Sequence, residues 1–61
     1  MEELLKSIIR DLGTAGMNLA EANRRANSVQ SLVIIPLIGR ARELRRDVDA
    51  LLSAIEADKT L

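Results

Sequence analysis

One pattern constrains this chain more than any other. Positions 5, 8, 12, 15, 19, 22, 26, 29 and 33 are all apolar, running from Leu5 through Ile8, Leu12, Ala15, Leu19, Ala22, Ala26 and Val29 to Val33. Their spacing alternates three and four without a slip, the signature of a helix with one apolar seam. The spacing predicts a long helix over about 3–34, with Glu21 placed to pair with Arg24 and Arg25, and Glu2 with Lys6. A second run, Leu37, Ala41, Leu44, Val48, Leu51 and Ile55, predicts another helix over about 37–58. The tail Asp58–Lys59–Thr60–Leu61 is expected to fray.

Between the two lies Leu32–Val33–Ile34–Ile35–Pro36–Leu37–Ile38–Gly39, the most apolar stretch and the site of the only proline. Proline suits the first turn of a helix and pushes the residue before it out of helical conformation. The reading therefore puts the reversal at Ile35–Pro36 and makes the fold all-α, an antiparallel helical hairpin assembling into a four-helix bundle or larger oligomer. Two alternatives stand beside it. In one, the chain is a helix kinked at Pro36, because no Gly or Asn closes the first helix and no polar cap opens the second. In the other, Gly13 and Gly16 break the first helix, Asn18 and Glu21 cap a new one, and a three-helix bundle results.

Size and composition turn the fold into a question about partners. The chain has 61 residues, one small helical domain, and no cysteine, histidine or aromatic residue. A domain this short buries only about 60% of the surface its unfolded chain exposes. Disulfides, zinc and large aromatic side chains are not available to compensate. With helices of about 48 Å and 33 Å at 1.5 Å per residue, the N-terminal third overhangs with Leu4, Leu5, Ile8, Ile9 and Leu12 uncovered. These residues and Leu19 are the expected oligomer interface, and a homodimer is the simplest way to cover them.

The residue types exclude most chemistry. There is no His, Cys or Tyr, and Gly13–Thr14–Ala15–Gly16 has neither the lysine nor the spacing of a phosphate loop. Asp47, Asp49, Glu56 and Asp58 read as a solvated acidic face, and Asn18, Asn23 and Asn27 as register-setting or surface residues beside the small-residue seam. No catalytic residue, metal or cofactor is expected. Arg40, Arg42, Arg45 and Arg46 cluster just after the apolar stretch, and a helix starting at Pro36 would carry this basic half and the following acidic half in the order its dipole disfavours. Arg24 and Arg25 would lie opposite residues 47–49 and pair with acids.

The expected function is a small protein-binding regulator, inhibitor or adaptor that self-associates. Arg40, Arg42, Arg45, Arg46, Ile34, Ile35 and Leu37 are the expected partner-binding residues. Nucleic acid or a nucleotide ligand on the arginine cluster is the alternative, although nine acidic residues balance nine basic ones and no aromatic residue is present for base stacking. A purely structural or engineered bundle is the third reading, disfavoured by the helix glycines and missing caps. The acidic start Met1–Glu2–Glu3, the seven-residue limit on apolar runs and the lack of cysteine suggest a cytoplasmic protein with no membrane partner.

Overall fold

A computed structural model describes residues 1–59. It contains two helices, α1 (Glu2–Arg25) and α2 (Ser28–Lys59), packed antiparallel along their length into a rod of 51 × 15 × 12 Å. The all-α hairpin is as expected; its turn is not. The chain reverses at Ala26–Asn27, nine residues before Ile35, and α2 runs straight through Pro36.

The reason is a cap that the apolar pattern hides. Asn27 Oδ1 accepts the Gln30 N–H at 2.8 Å, and Gln30 Oε1 accepts the Asn27 N–H at 3.0 Å. This reciprocal pair satisfies two donors at the start of α2. Ala26 closes α1 with an extended backbone (ψ 150°) and donates its N–H to the Asn23 carbonyl at 3.2 Å, so the reversal uses no left-handed residue. Arg24 and Arg25 form the last turn of α1, where positive charge suits the helix dipole. They pair with Glu21 of their own helix at 3.3 and 3.4 Å, not with acids at 47–49.

Proline inside a helix removes one backbone hydrogen bond, here to the Leu32 carbonyl, and crowds that carbonyl, at about 3 kcal/mol. Pro36 is exposed, on the side of α2 turned away from α1, where water reaches the freed group. In return α2 gains its capped first turns and becomes the longer helix, 32 residues against 24, long enough to reach the start of α1. The overhang is accordingly absent: Lys59 at the end of α2 forms an ion pair with Glu2 at the start of α1. Lys6 pairs with Glu3 at 3.7 Å instead of with Glu2. Asp58 and Lys59 are helical, while Thr60 and Leu61 lie outside the described residues.

The glycines do not break α1. Gly13, Thr14 and Gly16 are helical, which removes the three-helix alternative, and Thr14 turns its hydroxyl back to the Arg10 carbonyl at 3.2 Å. The Asn18–Glu21 box does not form, because both residues sit inside α1.

The two helices meet along seams with heptad spacing. On α1 the covered positions are Leu5, Ile9, Leu12, Gly16, Leu19, Asn23 and Ala26. On α2 they are Ser31, Ile34, Ile38, Ala41, Val48, Leu52 and Ile55, with Arg45 at the position between Ala41 and Val48. The α1 seam shares Leu5, Leu12, Leu19 and Ala26 with the expected stripe. Its other members are Ile9, Gly16 and Asn23, leaving Ile8, Ala15 and Ala22 on the flank. Among the described residues only Leu5 and Leu52 are deeply covered, each 7% exposed.

Candidate functional site

Two grooves, one on each side of the hairpin, show which flanking residues share a face. One, of about 250 Å³, is lined by Gly13, Gly16, Met17 and Ala20 of α1 and by Ala41, Arg42 and Arg45 of α2, among others. The second lies by the turn, has about 520 Å³, and brings Ala22 of α1 beside Gln30 and Val33 of α2. Because the seams keep a seven-residue repeat, every residue seven or fourteen positions away from a lining residue stays on the same side.

That rule gives the two sides opposite characters. With Arg42 go Ile35, Asp49 and Glu56, so the α2 part of this side is charged apart from Ile35, while α1 contributes the exposed Met17 beside Gly13, Gly16 and Ala20. With Gln30 go Leu37, Leu44 and Leu51, and with Ala22 go Ala15, Ile8 and Met1. This second side is apolar and open: Leu37, Leu44 and Leu51 are 36%, 52% and 49% exposed, and Ile8 is 41% exposed. Leu4 and Val33 lie beside this ridge and are more exposed still.

The expected partner-binding set is therefore split. At 3.6 residues per turn, Arg42, Arg45 and Arg46 share one side of α2 while Arg40 faces nearly the opposite way. Ile34 is half-buried in the seam, Leu37 lies on the apolar side and Ile35 on the charged side. The expected oligomer residues divide as well. Leu5, Ile9, Leu12 and Leu19 are taken up by α2, and Leu4 and Ile8 remain exposed.

On the charged side, the Arg45 guanidinium lies over Gly13, 3.7 Å from where a β-carbon would stand. A β-carbon at that distance would be in ordinary van der Waals contact, so the guanidinium packs on α1 without requiring glycine at this position. Among the described residues, Arg40, Arg42, Arg45 and Arg46 make no ion pair within the chain. Because α2 begins at Ser28, these arginines sit mid-helix, far from the dipole's positive end, and the expected electrostatic conflict is largely gone.

Two polar features lie at the ends of the rod. The Lys59 ammonium donates to the Glu2 carboxylate, which holds Glu2 below its ordinary pKa and Lys59 above its own. Near the turn, Asn23 Oδ1 is buried without a hydrogen-bond partner. Among the described residues no group of three acidic, His or Cys side chains is arranged to hold a metal, and no helix is long and apolar enough to cross a membrane.

No protein-family model matches the chain, and no curated protein or solved structure shows significant similarity to it.

The exposed surface can be compared with what a chain of this mass exposes when compact. At 6.7 kDa the area scaling gives about 3,900 Å². The hairpin exposes 4896 Å², an excess of about 1,000 Å² over that scaling. The leucine ridge contributes part of this surface, and Met17, Leu32 and Ile35 on other sides contribute further area.

Proposed function

We propose that this chain is a non-enzymatic helical interaction module. It self-associates through its apolar side and acts, as a small regulator, inhibitor or adaptor, by presenting its charged side to another protein. The observation that carries this reading is the open Leu37, Leu44 and Leu51 ridge on a hairpin in which, among the described residues, two side chains are deeply covered. Arg42, Arg45 and Arg46, unpaired and on one side, suit an acidic partner surface.

Light scattering on the purified chain at tens of micromolar tests the self-association. A mass of two chains or more supports the reading, and a clean monomer overturns it. An Ile35→Ser/Leu37→Ser variant separates the two sides in combination with the single changes. Leu37→Ser lowers the mass and Ile35→Ser leaves it unchanged.

A second reading, nucleic acid or a nucleotide ligand on the arginines, is favoured by the groove that Arg42 and Arg45 line with Gly13 and Gly16. Fluorescence anisotropy with labelled single- and double-stranded DNA and RNA at low salt tests it. Phosphate contacts would give binding that falls steeply with added salt; no binding at about 50 mM salt removes this reading.

A further inference from the structure

We propose that the apolar side receives a second copy of this chain about a two-fold axis perpendicular to the rod, crossing α2 at Leu44, so that α2 packs antiparallel on the partner's α2 and α1 on the partner's α1. This rests on the self-association argued above and specifies its face, direction and register.

The leucine ridge is symmetric about its own centre. Leu37 and Leu51 stand seven residues to either side of Leu44, so reversing α2 about Leu44 sets Leu44 on itself and Leu37 on the partner's Leu51. A two-fold interface must be self-complementary in this way. The same axis serves α1. The contact of Arg45 with Gly13 puts Leu44 level with Thr14, one residue from Ala15. Reversal about that level brings Ala15 to within two residues of the partner's Ala15 and Ile8 to within two of the partner's Ala22, large beside small, as close packing favours.

Charge selects this direction over the other two-fold arrangement. Arg40 lies four residues before Leu44 and Asp47 three after it, both at the rim of the apolar side. Antiparallel α2 helices bring each Arg40 beside the partner's Asp47, twice over by symmetry. Neither residue has an ion pair within the hairpin, among the described residues. An axis along the rod would instead lay α1 on the partner's α2 and bring Asp11 beside the partner's Asp47, like charge on like. The hairpin as a whole exposes about 1,000 Å² beyond the compact scaling, enough surface to spare the roughly 800 Å² that a standard interface takes from each partner.

Because the chain has no cysteine, single-cysteine variants report the register directly. Leu44→Cys is expected to oxidise to a disulfide-linked dimer. Leu37→Cys alone is expected not to, because its two copies would stand about 21 Å apart, 14 residues along the helix, beyond the reach of a disulfide. Mixing Leu37→Cys with Leu51→Cys is expected to give the mixed cross-link, and Met17→Cys, on the charged side, none. Charge reversal gives a second readout on rim residues that the hairpin itself does not use. Arg40→Asp or Asp47→Arg alone is expected to weaken dimerisation roughly five- to tenfold, and the double variant to recover it. A two-chain mass with cross-linking at Met17→Cys or Leu37→Cys alone, or no recovery in the double charge variant, overturns this register and leaves self-association standing. A mass above two chains overturns the two-fold dimer in the same way. A monomer at tens of micromolar overturns both.

Discussion

Asn27 and Gln30 hold each other at the start of α2, side chain to backbone in both directions, at 2.8 and 3.0 Å. The hairpin reverses at this pair. It lets α2 begin eight residues before the proline, and it thereby fixes which residues of the two helices lie opposite one another.

Removing either half of the cap leaves helix N–H groups without their partner. Asn27→Ala is expected to cost about 1 kcal/mol of stability, and Gln30→Ala less, since the Asn27 acceptor remains. Thermal unfolding followed by circular dichroism at fixed protein concentration measures both. Equal stability of Asn27→Ala and the parent chain would show that the reversal is held elsewhere.

Gly39 is helical and exposed, and a β-carbon there meets nothing within 4 Å. Gly39→Ala is therefore expected to stabilise the chain by about 0.5–1 kcal/mol through helix propensity alone. For a small domain this raises Tm by roughly 4 °C. Gly16 is also clear of neighbours within 4 Å, and Gly16→Ala is expected to act in the same direction. A fall in Tm for either variant would reveal a close approach that the hairpin alone does not have.

The ion pair of Glu2 and Lys59 makes the open end of the rod pH-dependent. Glu2 titrates below its ordinary value of 4.5, so its contribution is complete above that pH and is lost as pH falls through the lowered value. Lys59 titrates above 10.5, so its contribution is complete below that pH and is lost as pH rises through the raised value. Both groups are solvent-accessible, and salt weakens the pair. Comparing Glu2→Gln with the parent chain checks this: their stabilities are expected to converge in acid and to differ most between pH 5 and 10, a window bounded by the two ordinary values.

Asn23 occupies a seam position with its Oδ1 buried and unpaired. An acceptor buried without a donor costs about 1–3 kcal/mol. Asn23→Ala removes that cost, adds helix propensity, and is expected to stabilise the chain by about 1 kcal/mol. Denaturant unfolding decides it; a loss of stability would mean that the amide has a partner in the assembled protein.

The apolar periodicity made two amphipathic helices legible, and Leu5, Leu12, Leu19, Ala41, Val48 and Ile55 were correctly placed on the seam. The turn was not legible, for a definite reason. Val29 and Val33 continue the α1 spacing past Ala26 by coincidence, so the pattern runs through the reversal without a mark. Pro36, the strongest local breaker, drew the expected turn to itself. The signal that could have found it was Asn27–Ser28–Val29–Gln30, a polar cap with its reciprocal partner three residues on.

The flank assignments failed for a related reason. α1 carries two overlapping heptad stripes that share Leu5, Leu12, Leu19 and Ala26. One completes itself with Ile8, Ala15 and Ala22, the other with Ile9, Gly16 and Asn23. The first is the more hydrophobic, yet α2 packs on the second.

The sequence by itself determined two helices, an apolar surplus that one hairpin cannot bury, and the absence of histidine, cysteine and aromatic side chains. Those follow from composition and spacing, which are local properties. Only the tertiary structure decided where the chain turns, which of two stripes faces inward, and that Arg40 and Leu37 stand on the opposite side from Arg42 and Ile35. These depend on the register between α1 and α2, which brings together residues as distant as Glu2 and Lys59, and periodicity within one helix carries no record of it.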